Sequence, residues 1–339
     1  MKQNKNYGIQ TFFISIIGIV VVLYILKTLQ HIFLPLIIAY FFVLVFMPIN
    51  RFLSSKKIPI SIATIFNLSI ISVLIWGLIS IIISSAAQFA EALPIYEKKF
   101  ALVFAQYGKI FNLKEEEVSG YIFNRDNISQ IFGGVFSSTM SFISAVFLIL
   151  FYFIFLNTGY DRVLEVVKEK YSGLDDSRLE KRIKDIPAKI QSYIITKIFI
   201  SLLTAMIIGI ILYVFDVDFI VIWIVLTFLL NFIPNFGSII AVILPMLTLF
   251  LQFNSISKAV LFAVFASVIQ NIIGNYVEPK IMGNKLGLNP LFILFSLLIW
   301  GYIWGLAGMF LAIPIMAVIK ILITDSDSET LTFISKLIS

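Results

Sequence analysis

The chain alternates between long apolar runs and short charged interruptions. Runs over 9–29, 32–50, 60–83, 138–157, 193–215 and 257–277 each approach the ~20 residues a helix needs to cross a bilayer core. Two more, 219–252 and 289–323, are too long for one comfortable span, and Gly, Pro or Asn interrupts each in the middle. The pattern predicts an all-α, polytopic helical membrane protein whose two interrupted runs form broken or re-entrant helical hairpins. It divides the chain into spans one to three (1–83), an extracytoplasmic amphipathic segment (84–137), a fourth span (138–157), a charged cytoplasmic helical linker (158–190), a transport-type bundle (191–323) and a short polar tail (324–339).

Composition supports the lipid bilayer as the chain's partner. The 339 residues are 60% hydrophobic and 13% charged, with mean hydropathy +1.02, whereas soluble domains carry roughly 25% charged residues. The net charge of +6 is not laid out as a nucleic-acid footprint. Its basic residues sit in short loops beside apolar runs: Lys2 and Lys5, then Arg51, Lys56 and Lys57, then the many in 158–190. The positive-inside rule puts these on the cytoplasmic side, with both termini, and 84–137 outside. A signal peptide competes for the first run. No small-residue cleavage site follows it and Ile32–Met47 begins almost at once, so a retained span is expected.

Several kinds of chemistry are excluded. Cysteine is absent, and His31 is the single histidine. No His-Glu-x-x-His zinc motif and no Walker-type phosphate loop occurs, so neither an enzyme nor an ATP-driven pump is expected, and no cofactor. Lys27 and His31 fit snorkelling at the turn between spans one and two. Pro35 and Pro48 are expected to kink or end span two. In the external segment, Phe89, Leu93, Tyr96, Phe100, Val103 and Tyr107 recur at steps of three and four. That stripe suits an amphipathic helix lying on the membrane or its own chain, and equally a subunit contact. Gly173 is expected to split the linker into two helices.

The interrupted runs read WIVLTFLLNFIPNFGSIIAVILPML (223–247) and LFSLLIWGYIWGLAGMFLAIPIMAV (294–318). Setting Pro245 against Pro314 places Asn231–Gly237 against Trp300–Leu306, with Gly305 in the second break. If the first run folds back, the next span returns inward and brings Lys280 and Lys285 to the cytoplasmic side. The two units would then be inverted repeats, the pattern of secondary transporters with a site where broken helices meet. Two short full spans with a tight turn are the other reading. It would put Lys280 and Lys285 outside, which favours the hairpin.

Ser267, Asn271, Asn275 and Glu278 follow at steps of four, four and three, and would share one helix face ending at Pro279. Glu278 is a functional candidate as an intramembrane ionisable group that could carry a proton or hold a sodium ion. The plainer reading pairs it with Lys280 or Lys285 at the interface. Asn231 and Asn235, four apart at the first break, could face the same cavity or cap the broken helix ends.

The motifs NFIPNFGSIIAVILP (231–245), NYVEPKIMGNKLGLNP (275–290) and GLAGMFLAIPIMAVIK (305–320) resemble the AI-2E family of bacterial permeases. The resemblance is dense over 185–323 and looser elsewhere. The matching positions are Asn231, Pro234, Gly237, Glu278, Pro279, Gly283, Gly287, Pro290, Gly305 and Pro314, while Asn235 replaces a Tyr often found after the first Pro. The resemblance implies an inner-membrane protein with about eight membrane segments that forms homo-oligomers. It also implies one of two activities: export of the quorum signal autoinducer-2, or sodium- or lithium–proton antiport. The expectation is therefore an ion-gradient-driven secondary transporter of a small polar metabolite or signal. A monovalent cation–proton antiporter is the alternative, and a non-transporting membrane scaffold a third reading. The residues expected on the pathway are Asn231, Pro234, Asn235, Gly237, Asn271, Asn275, Glu278, Pro279, Gly283, Gly305 and Pro314.

Overall fold

The computed structural model describes residues 2–107, 141–160, 162, 165–166, 177–282, 287–324 and 335. Gly173, Gly283, Lys285, most of the linker before 177 and most of the tail lie outside them. Among the described residues the long elements are all helical: α1 (Lys2–Thr28), α2 (Gln30–Ser55), α3 (Ile60–Tyr107), α4 (Ser141–Tyr160), α5 (Ser177–Val214), α6 (Ile220–Leu230), α7 (Phe236–Phe253), α8 (Ile256–Ile272), a π-helical turn (Ile273–Val277), α9 (Glu278–Met282) and α10 (Pro290–Thr324). Seven stretches are long and apolar enough to cross a membrane, and Phe13–Thr28 and Ile220–Leu230 are shorter apolar helices. Whole faces of these helices are exposed and apolar, such as Ile14, Ile17, Val20 and Tyr24 of α1 or Phe199, Met206, Ile210 and Tyr213 of α5. A soluble monomer does not leave such continuous apolar surface in water, so the fold is that of a polytopic helical membrane protein.

The chain folds as two compact units. One comprises Met1–Phe52, Ala145–Gln191 and Leu286–Ser339. Its core includes Ala39, Val43 and Leu44 of α2, Phe153 of α4, and Leu311 and Ala312 of α10. Phe46 and Phe153 meet edge to face at 6.0 Å, and Asn50 donates to the buried Asn157 at 2.7 Å. Pro35 and Pro48 both lie inside α2, so neither ends it.

The other unit comprises Leu53–Ser144 and Ser192–Lys285. Its core joins Ile208 and Leu212 of α5, Val242 and Leu249 of α7, and Ala259, Phe262 and Ala266 of α8. Helix α3 continues well past position 83 to Tyr107, so the stripe through Val103 extends the third span without a break. That stripe packs on its own chain. Tyr96 and Phe89 lie against the Phe219 ring, and the Tyr96 hydroxyl donates to Asp218 at 2.7 Å.

Both interrupted runs fold back. In the first, α6 and α7 are antiparallel arms. Their open end is tied by Gln252, which donates to the Asp216 carbonyl and to Asp218 Oδ1 and accepts from the Asp218 amide. At the tip, amides of Phe232 and Ile233 bond back to Leu229 and Leu230. Gly237 then passes so close that any Cβ there would fall on the Leu230 carbonyl oxygen. With only 11 residues, α6 rises about 16 Å, roughly half a bilayer core.

In the second, α10 breaks at Trp304 and Gly305. Gly305 has φ 63° and ψ −143°, a conformation open almost only to glycine. The Ser296 hydroxyl donates to the Ala312 carbonyl at 2.9 Å. Sixteen residues of straight helix would put those groups about 24 Å apart. Here Gly308 is the close approach, its absent Cβ lying over the Trp300 carbonyl. The two close-approach glycines match when Gly237 is set against Gly308, two positions away from the proline-based alignment.

Candidate functional site

Helix α5 presents a polar stripe where an apolar core would be expected. Tyr193, Lys197, Ser201 and Thr204 are spaced four, four and three apart, so they fall on one face. All four are buried, Lys197 to 2% exposure and Ser201 and Thr204 to 0%. Thr204 is satisfied within its own helix, donating to the Ile200 carbonyl at 2.8 Å. Lys197 and Ser201 reach across to neighbouring elements.

Lys197 Nζ meets Glu278 Oε1 at 2.5 Å, with side chains only 3% and 21% exposed. A buried lysine without a partner carries a heavy desolvation cost, and the carboxylate answers it with a charge-assisted hydrogen bond. The plainer expectation for Glu278, pairing with Lys280 or Lys285, is therefore corrected: Lys280 is exposed, Lys285 lies outside the described residues, and the partner comes from α5.

The π turn explains how Glu278 gets there. Pro279 has no amide hydrogen and its ring crowds the carbonyl four residues earlier. Widening the turn over Ile273–Val277 relieves this, and the Glu278 amide bonds to the Ile273 carbonyl five residues back. The helix continues to Met282, so the asparagines and Pro279 do not terminate it. The expected single stripe is also divided. Asn271 donates to the Ser267 carbonyl and Asn275 to Asn271 Oδ1, both on an exposed surface, while Glu278 reaches the buried Lys197.

One turn along α5 from Lys197, Ser201 accepts a hydrogen bond from Asn231 Nδ2 at 3.1 Å. Asn231 closes α6 at the tip of the first hairpin and is buried. Asn235 does not join it. It is exposed, has φ 61°, and makes no side-chain cap. The non-helical turn between the two asparagines cancels the four-residue spacing that suggested a shared face. Neither caps through its side chain: the Asn231 amide group is committed to Ser201. One turn before Asn231, the buried Thr227 hydroxyl has no hydrogen-bond partner among the described residues, and the same holds for Gln270 Nε2 on α8.

Of the remaining expected residues, Pro234 is half-buried in the turn, Gly237 is the close approach beside it, and Pro279 is exposed. Gly305 and Pro314 belong to the other unit, one at the exposed tip of the second hairpin and one buried in its second arm. Lys197, Ser201, Thr204, Thr227 and Gln270 were not singled out from the sequence. The first three carried a usable signal, polar groups at helical spacing inside a run that otherwise reads as a plain span. No group of three or more His, Asp or Glu side chains suited to a metal ion occurs among the described residues.

A membrane bundle with a buried ion pair and an unpartnered hydroxyl beside a broken helix is the class of structure that transporters use. Comparison with known proteins is specific. The AI-2E family transporter profile matches residues 13–327, and the chain belongs to that family. A Haemophilus influenzae relative carrying only a provisional transport-protein name is 27% identical over 96% of this chain and 95% of its own length. A Borreliella burgdorferi relative with a similar name is 26% identical over 95% and 89%. The Escherichia coli protein named AI-2 transport protein TqsA is 25% identical over 89% and 88%.

Proposed function

We propose that the chain is a secondary transporter, driven by an ion gradient, that exports a small polar metabolite or signal such as autoinducer-2. The Lys197–Glu278 pair, Ser201, Asn231 and Thr227 would line part of its path. One observation carries the reading: a polar track is buried inside a helix bundle whose outer faces are apolar. Polar groups at such depth are costly, and a purely structural contact would be served by Leu or Ile. Hydroxyl and amide groups in a row suit a hydroxylated cargo, and the Thr227 hydroxyl has a hydrogen bond still to make. On this reading the chain lies in the bacterial inner membrane with both termini cytoplasmic, assembles with copies of itself, and uses its two hairpins as inverted halves of a transport cycle. The 25% identical relative named for AI-2 transport supports this class of cargo.

The test is flux in proteoliposomes loaded with autoinducer-2, with and without an imposed ion gradient. Glu278→Gln is expected to lower gradient-driven flux at least about tenfold, the effect of removing a charge from a hydrogen-bonded buried pair. Unchanged flux in that variant would take Glu278 off the path.

A further inference from the structure

We propose that the Lys197 ammonium is a tethered cation. It stands where a free alkali-metal ion would otherwise sit against Glu278, so the transport cycle needs no sodium or lithium at that carboxylate. This rests on the reading of Glu278 as part of the path and adds what that site does with ions.

Glu278 brings one negative charge, and Lys197 supplies one positive charge at 2.5 Å. The pair is neutral, and among the described residues no cluster of further acidic groups adds to it. An alkali ion joining the intact pair would leave a net positive charge in a desolvated place, which is strongly disfavoured. An ion displacing the ammonium would leave Lys197, 2% exposed, without a counter-charge. It would also have to compete with a cation held by a covalent tether, whose effective concentration is millimolar or greater. Without the ammonium, the site changes character. The Glu278 carboxylate is then left without its counter-charge in a largely desolvated place, which favours a hard cation against its oxygens.

The experiment uses the full chain in lipid nanodiscs. Thermal unfolding is followed in sodium or lithium chloride against choline chloride at equal ionic strength. Wild type is expected to melt at the same temperature in all three. Lys197→Met and Lys197→Gln are expected to gain stability in sodium or lithium, about 5 °C once the ion is about a hundredfold above its Kd. The gain should vanish in Lys197→Met/Glu278→Gln. A variant that folds only when sodium or lithium is present supports the proposal equally. A wild type stabilised by sodium and no longer so after Glu278→Gln would overturn it. So would indifference of both Lys197 variants to either ion, including failure to fold in every salt. Because the readout is binding, a wild type that moves no cargo while Lys197→Met gains ion dependence would sink the transport reading alone. Cargo flux together with Glu278-dependent sodium binding in wild type would sink this proposal alone.

Discussion

The two helical hairpins are built alike and finished differently. Each turns within a few residues, and each brings a glycine against a carbonyl of the preceding arm, Gly237 on Leu230 and Gly308 on Trp300. What each tip presents is not alike. The first buries Asn231 against Ser201 and leaves the Thr227 hydroxyl without a partner among the described residues. The second is aromatic. Trp300 and Trp304 pack at 4.8 Å, Trp304 Nε1 donates to the Leu26 carbonyl at 3.0 Å, and Lys27 lies 3.4 Å over the Tyr302 ring. Its polar cross-link, Ser296 to Ala312, is fully made. A satisfied aromatic tip holds helices together. A tip with spare hydrogen-bonding capacity beside an ion pair is, on the proposed function, the one that meets cargo. One backbone device thus serves two ends, and the side chains decide which.

The shared part of the comparison is broken most severely at the glycines. Gly237→Ala and Gly308→Ala should each destabilise the protein by about 3 kcal/mol, because the added carbon meets backbone that cannot move aside. Denaturant or thermal unfolding in nanodiscs would measure it, and a large loss at only one glycine would mean that the tips are not equivalent. The contrasting part is sharpened by smaller changes. Asn231→Ala and Ser296→Ala each remove one buried hydrogen bond and should cost about 1 kcal/mol. Flux should separate them: at least a tenfold loss for Asn231→Ala, and near wild-type rates for Ser296→Ala.

The positions of the helices were legible because their apolar runs have bilayer length. The fold-back of both interrupted runs could be anticipated because each is too long for one span and is interrupted halfway, around Pro234 and Gly305. Pairing was less legible. The spacing of Asn231 and Asn235 implied one face only if the helix ran on between them, and it does not. The stripe through Asn271, Asn275 and Glu278 assumed 3.6 residues per turn, and the π turn before Pro279 breaks that register. Lys197 is separated from Glu278 by 81 residues, and nothing local to either names the other. Gly308 was hidden for another reason. Aligning the hairpins on Pro245 and Pro314 shifts its true counterpart by two positions.

Thr227→Val gives the most direct test of the claim that the first hairpin tip is part of the path. The Thr227 hydroxyl is buried and has no hydrogen-bond partner among the described residues, so replacing it with a methyl should leave the melting temperature unchanged or raised. Autoinducer-2 flux through the same preparation in proteoliposomes should fall at least about tenfold, as the loss of one hydrogen bond to cargo in a dry site would produce. A variant as stable as wild type that transports at the wild-type rate would contradict the account.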